Sequence, residues 1–479
     1  MRIVDMIYFW ARTAPHRTAV IQSRMVMTYQ GLADGIDSIC DRIKQLKLNK
    51  DEPVGVALHN PAAMLATVFA LLRLGYSVAP VSPRRLPFLS GAGIRQLIYD
   101  IDGLMTSGGR NVRFDSSWLQ KSKATPGRTY HGHPSERPNL IFFTSGTTGI
   151  PKKLVVPLET FDADFDRPFN SIGPYQKILI TLGVAIFWGF LRTCELLYVG
   201  KTVAFTTTRL ALPLINLFRI DAIISAPPHA LELAEMRRSN PGYSASSLKA
   251  VFIGGGKVNG AELSRVRAWL CRNLISTFGA TEAGQIALTP FDRIAERPAM
   301  ICFPWIEIEV VDQAGNRMAP ETEGHIRMKT PALEENIRHN GTALVSGVRE
   351  GWFYPGDLGF VGHDGILYLT DRSSDVINRG GVKVSATRIA ELLQSLPEIH
   401  EAAALGSLGA SGIEELWVVL VANEAVDVAK IKSYLLAQPD VQLAPDEVFL
   451  LDKLPRGEAG KVDRSLLEKQ LLKVKRDAA

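Results

Sequence analysis

The feature that most constrains the fold is a strand–helix–strand unit near the N-terminus. Val54 to Leu58 is an apolar run of strand length, and Asn60-Pro61 follows it. Asn is a favoured helix N-cap and Pro a favoured first helical residue. Met64, Leu65, Val68, Phe69 and Leu72 then recur at helical spacing, Gly75 ends the helix, and Ser77 to Val81 is a second apolar run. Strands joined through a helix pair in parallel, and a parallel sheet needs cover on both faces. The alternation continues to Thr106 and resumes from 178, with strands predicted at Thr202 to Phe205, Ile220 to Ala226 and Ala250 to Ile253. The fold class expected is α/β, with the site at the carboxyl ends of the strands.

At 479 residues the chain is too long for one core and predicts two or more domains. From 300 the texture changes. Ile306 to Val311, Gly324 to Met328 and Gly365 to Leu369 read as strands of an antiparallel β subdomain. After Asp371 comes an α+β block: helix Thr387 to Leu396, strands Ala402 to Leu405 and Leu416 to Ala422, and helix Val428 to Ala437. The expected division is a large N-terminal domain of parallel-rich sheets, helices and the β subdomain (1–371), a hinge (372–375) and a small C-terminal domain (376–479). Residues 3–13 predict a helix with Phe9 and Trp10 inward, and 107–138 a polar loop with little core. His131 and His133 in that loop, and Asp162, Asp164 and Asp166, read as solvated residues rather than metal ligands.

A net charge of +5 is small for this length and gives no argument for nucleic acid. Cys40, Cys194, Cys271 and Cys302 form no CxxC pair and read as reduced core residues of a cytoplasmic protein. Asp5, Arg12 and Arg17 interrupt any signal-peptide core, and the apolar run Ile178 to Leu191 is too short to span a membrane.

One stretch carries chemistry on its face. Leu140 to Phe143 reads as a buried strand and breaks into Thr144-Ser145-Gly146-Thr147-Thr148-Gly149, then Ile150-Pro151-Lys152-Lys153. Glycines that take φ > 0 let successive backbone N–H groups point one way, hydroxyls add donors, and lysine adds a mobile cation. That combination suits a polyphosphate, although the spacing is not that of a Walker A loop. A polar surface hairpin is the alternative.

The stretch resembles the phosphate loop of the adenylate-forming superfamily, which comprises acyl-CoA synthetases, adenylation domains and luciferases. It matches from Thr144 to Lys152 without a gap. Four further motifs follow in family order. Phe278-Gly279-Ala280-Thr281-Glu282 is similar to the aromatic-Gly-x-Thr-Glu motif; as a plain sequence it also reads as a helix N-cap. Tyr354-Pro355-Gly356-Asp357-Leu358 is similar to Thr-Gly-Asp-Leu, with Pro355 where Thr is usual. Asp371-Arg372-Ser373-Ser374-Asp375 is similar to Gly-Arg-x-Asp/Lys-Asp, with Asp371 and Ser374 as departures. Leu454-Pro455 through Gly460-Lys461-Val462-Asp463-Arg464 is similar to the closing motif.

The resemblance implies a two-step enzyme, most like an AMP-forming acyl-CoA synthetase. It implies ATP with Mg²⁺, a carboxylic acid, and coenzyme A as thiol co-substrate. Lys461, Thr281 and Glu282 would be catalytic, with Thr144 and Glu282 toward the metal. Nucleotide contacts would come from Thr144, Ser145, Gly146, Thr147, Thr148, Gly149, Lys152, Gly255, Phe278, Gly279, Asp357, Arg372 and Lys383. Ser374 would be the hinge of a mobile lid domain, and Gly380 and Gly381 would line a thiol tunnel. Phe187, Trp188 and Gly254 would border the acyl pocket. Two departures stand out: Arg388-Ile389-Ala390 replaces a Glu-Ile-Glu pattern, and 184–189 lacks the aromatic-His pair of many relatives. Leu182 to Phe190 carries no charge, so an apolar monocarboxylate is expected and an acid to hold a substrate amine is missing. A carrier-protein-loading adenylation enzyme (amino or aryl acid) and a non-catalytic nucleotide-binding relative are the alternatives.

Overall fold

The computed structural model describes residues 2–23, 25–101, 109–120, 138–144, 152–163, 173–256, 260–280, 282–290, 299–340, 347–379, 382–409, 414–422, 426–441, 443–457 and 460–477. The strand–helix–strand unit forms as predicted. Val54–Ala57 and Val78–Pro80 pair in parallel, and Pro61–Arg73 crosses between them. Asn60 caps that helix, its side chain accepting from the Ala63 N–H at 3.0 Å. The helix is buried nearly all round because it lies between layers rather than on one.

Two mixed sheets carry the N-terminal part. One has six strands in the order Arg110–Arg113, Gln96–Tyr99, Val54–Ala57, Val78–Pro80, Asn139–Thr144, Lys152–Pro157. The other has eight, in the order Gly284–Pro290, Leu274–Ala280, Ala250–Gly254, Ala222–Ser225, Lys177–Ile180, Thr202–Phe205, Thr18–Gln22, Met25–Thr28. The eight-stranded sheet is parallel inside and ends in an antiparallel hairpin at each edge, whereas the six-stranded sheet is parallel except for the hairpin Asn139–Thr144/Lys152–Pro157 at one edge. Helices Pro61–Arg73 and Phe187–Tyr198 fill the space between them, with the rings of Phe69, Phe142 and Phe161 each packed against Phe190. A seven-stranded sheet follows, antiparallel in every pairing and built from residues 299 to 372. Two hydrophobic clusters draw only on residues from Ile377 onward, one around Ile389, Leu416 and Ile431, the other around Trp417, Leu467 and Leu471.

Several details depart from the sequence reading. Phe9 is exposed; Trp10 points inward and its indole N–H donates to Tyr198 O at 3.0 Å. The 107–138 stretch holds a strand, Arg110–Arg113, and a short 3₁₀ turn that buries Trp118 against Phe114. Polar composition hid these two aromatics. Phe278 to Ala280 opens no helix: it ends a strand that pairs with Gly284–Pro290 as an antiparallel hairpin. Helix Arg464–Asp477, which the sequence reading did not delimit, buries Leu467 and Leu471 on Trp417. His131, His133, Asp164 and Asp166 lie outside the described residues. Among those described, no helix is long and apolar enough to cross a membrane.

Candidate active site

Parallel strands Lys177–Ile180, Ala222–Ser225, Ala250–Gly254 and Leu274–Ala280 end at one edge of the eight-stranded sheet. Gly254-Gly255-Gly256 leaves that edge. A Cβ on Gly254 would lie 1.9 Å from Thr277 Oγ1 and 3.0 Å from Trp188 Cη2, so only glycine fits there. Gly255 has φ +76, a conformation with a steric penalty for other residues. A Cβ on Gly256 would stand 3.8 Å from Lys461 Cε. The triglycine turn therefore touches Trp188 on one side and the closing-motif lysine on the other.

Lys461 is held there by a tight loop. Gly457 N–H donates to Lys461 O at 2.8 Å, and Arg456 Nη1 donates to Gly460 O at 2.8 Å. Arg456 is itself anchored by Glu401 at 2.5 Å. Gly460, at φ +74, packs against Pro228 and His229 at the start of helix Pro227–Ser239. The Lys461 side chain is reachable by water, yet protein surrounds it on most sides, as befits a group in a cleft. Lost hydration, and then Arg372, lower its pKa to about 8 against the opposing pull of Asp357 and Asp375.

Strand register brings Asp357 and Arg372 together, since the two are direct partners across an antiparallel pair. Arg372 Nε donates to Asp357 Oδ1 at 2.8 Å. Asp357 is buried, and its second oxygen, Oδ2, has no hydrogen-bond partner. Burial raises the Asp357 pKa while Arg372 and Lys461 pull it down. A buried carboxylate oxygen without a donor is costly in an inert role and suited to accepting hydroxyls from a ligand.

Ser374 sits in a 3₁₀ turn, Ser373–Asp375, its hydroxyl donating to Asp375 Oδ1 at 2.9 Å. Arg464 bridges that turn, pairing with Asp375 at 2.6 Å and donating to Ser374 O at 3.3 Å. Lys383 is exposed on strand Val382–Ser385, opposite Asn378. Phe278 is half-buried, and Gly279 is required where a Cβ would meet Gly284 O at 2.7 Å. Glu282 lies in the hairpin turn. Thr144 and Lys152 are partners across the hairpin Asn139–Thr144/Lys152–Pro157, so the glycine-rich stretch joins two antiparallel strands. Ser145 to Gly149, Thr281, Gly380 and Gly381 fall outside the described residues, as do the side chains of Thr144 and Lys152. Among the described residues no group of three or more His, Cys, Asp or Glu could hold a metal. Glu282 alone is compatible with Mg²⁺, which takes one or two protein carboxylates and completes its shell with phosphate and water.

Beneath the triglycine turn, helix Phe187–Tyr198 closes on the sheet and leaves only a narrow gap, too small for a water molecule. Trp188 and Arg192 line it from the helix, and Ile224, Phe252, Thr277, Gln285 and Leu288 from four neighbouring strands. Phe187 packs edge-on against Phe142 with ring centroids 5.2 Å apart. Arg192 and Gln285 escaped the sequence reading, which stopped at Phe190. Arg192 is four residues after Trp188, on the same helical face, and that spacing was the available signal.

Residues 8–335 match the family described as AMP-binding enzyme. The chain is 21% identical over 484 residues to a 2-succinylbenzoate–CoA ligase of Listeria innocua, spanning 96% of this chain and 97% of that one. Its fold is similar to that of O-succinylbenzoate coenzyme A synthetase from Bacillus subtilis in complex with ATP and magnesium ion, with a TM-score of 0.79 at 22% identity over 97% of this chain and 99% of that one. It is also similar to the amide bond synthetase McbA of Marinactinospora thermotolerans, with a TM-score of 0.77 at 20% identity over 98% and 99% of the two chains. With two thirds of its length matched by one family model, this chain belongs to the AMP-binding enzymes.

Proposed function

We propose that this protein activates a carboxylic acid with ATP and passes the acyl group to a thiol, coenzyme A being the acceptor favoured by its relatives. The carboxylate oxygen attacks the α-phosphorus in line, the bond to the pyrophosphate oxygen breaks, and an acyl-adenylate and pyrophosphate result. The thiol then attacks the acyl carbon; the thioester forms and AMP leaves with the acyl C–O electron pair. The observation that carries this reading is Lys461 poised against Gly256, in one cleft with the buried, half-satisfied Asp357 carboxylate and Arg372.

Each side chain has a physical task. Asp357 accepts the ribose hydroxyls, which binds and orients the nucleotide. Arg372 holds Asp357 ionised and faces the phosphate side. Lys461 stabilises charge that concentrates on the α-phosphate and the attacking oxygen. Little covalent work falls to the protein, so positioning and charge neutralisation dominate. Mg²⁺, when bound through Glu282 and the phosphates, supplies further neutralisation of the polyphosphate. After the first step the C-terminal block, residues 376–479, rotates about Ser374, removes Lys461 and brings the 380–381 loop to the cleft. The relative named as an amide bond synthetase makes an amine the rival acceptor. A pyrophosphate-exchange screen over a panel of carboxylic acids, followed by thiol and amine acceptors, tests the proposal. Nucleotide binding without exchange would leave a non-catalytic relative.

A further inference from the structure

We infer that His229 is a positioning residue for the first step: its neutral ring supports the Gly460 turn and thereby sets Lys461 against the triglycine turn. This role presupposes the activation chemistry proposed above. The start of helix Pro227–Ser239 touches both sides of that contact. A Cβ on Gly256 would lie 3.4 Å from Pro227 Cδ, and one on Gly460 would lie 3.3 Å from Pro228 Cγ and 3.5 Å from His229 Nε2. Gly256 and the residue before Lys461 are therefore seated on the same three residues. Pro227 and Pro228 have fixed φ and no charge, so the imidazole is the one part of this seat that can change its state.

Hydrogen bonding sets which nitrogen faces the turn. Ser225 Oγ gives its one hydrogen to Ala226 O at 3.0 Å, so Thr181 Oγ1, 2.9 Å away, donates to Ser225. Thr181 Oγ1 then accepts from His229 Nδ1–H at 3.4 Å. In the neutral ring Nε2 carries no hydrogen, and it lies on the Gly460 side. Protonation would place a cation beside Arg456, whose Nη1 holds Gly460 O at 2.8 Å, and at the positive end of the ring's own helix. Burial lowers the His229 pKa first; Glu232, one turn on, opposes the fall and Arg456 adds to it. The docked turn thus favours the neutral ring. A group whose pKa is depressed by docking supports docking fully above its free value, about 6.5, and withdraws that support as pH falls through the depressed one.

The test measures ATP–pyrophosphate exchange, and thioester formation from a supplied acyl-adenylate, in wild type, His229→Ala and His229→Gln. At pH 7.5 His229→Ala should lower the exchange kcat roughly 10- to 100-fold with KM for ATP within about twofold, because a misplaced lysine is missed in the transition state rather than in nucleotide binding. Thioester formation should stay within about twofold of wild type, since Lys461 has no part in it. His229→Gln, neutral and long enough to reach the turn, should restore exchange to within about threefold. The ratio of wild-type to His229→Gln exchange should fall roughly three- to tenfold from pH 7.5 to pH 5.5. Exchange untouched in His229→Ala, a loss carried by KM, equal losses in both half-reactions, no rescue by His229→Gln, or a ratio flat with pH overturns the inference. Failure of every acid in a broad panel to drive exchange in wild type overturns the proposed function, and this inference with it.

Discussion

Replacing Asp357 by Asn separates what this carboxylate does for folding from what it does for the nucleotide. In the folded protein Asp357 is 7% exposed, one oxygen takes Arg372 Nε at 2.8 Å, and the other has no partner. An unsatisfied buried acceptor costs about 1–3 kcal/mol. The pair with Arg372, whose side chain is 50% exposed, returns only about 1 kcal/mol after screening. Burial raises the folded pKa above the unfolded one, so protonation favours the folded state. Stability from this group is present at low pH and is lost as pH rises through the folded value. Asn removes that liability at nearly constant volume, so Asp357→Asn should leave stability within about 1 kcal/mol or raise it. Nucleotide binding should suffer, because the charged acceptor proposed to take the ribose hydroxyls becomes a neutral one. A loss of about 1.5–3 kcal/mol corresponds to roughly 10- to 150-fold in affinity. Melting temperature and AMP titration on the same preparation read both quantities. A protein that melts several degrees lower and binds AMP normally would refute the reasoning and make Asp357 structural.

Other consequences follow from the cleft. Lys461, with a pKa near 8, is partly deprotonated at pH 8 to 9, and polyphosphate raises its pKa. ATP binding should therefore take up a fraction of a proton in that range and close to none at pH 6.5, measured by calorimetry in buffers of different ionisation enthalpy; Lys461→Arg should abolish the uptake. Gly254→Ala places a methyl 1.9 Å from Thr277 Oγ1 and 2.9 Å from Thr277 O, which backbone cannot relieve cheaply. It should destabilise by about 1–3 kcal/mol and lower exchange, with thermal melting as the check.

The sequence revealed most of the architecture because hydrophobic period and punctuation agree locally. The Asn60-Pro61 cap and the Thr202–Phe205 strand form where the pattern predicts. Long-range placement was less legible. Arg110–Arg113 joins the sheet edge despite polar neighbours, because pairing with Gln96–Tyr99 supplies the hydrogen bonds its composition does not advertise. The hairpin after Phe278 depends on Gly279 letting the two backbones approach and on Gly284 taking φ +75, demands that capping propensity does not register. At the site, Asp357 and Arg372 were visible as motif residues, but their direct pairing is a matter of strand register.

The central claim is that Lys461 serves the first chemical step alone. Lys461→Ala should depress ATP–pyrophosphate exchange by about 10²–10³, the cost of losing one charge-stabilising contact in a cleft walled by protein on most sides. Conversion of a supplied acyl-adenylate to thioester, measured in the same preparation, should stay within about twofold of wild type, because the proposed rotation of the C-terminal block would carry residue 461 away from the acyl carbon. Equal losses in both half-reactions, or an exchange rate untouched by the substitution, would contradict the account.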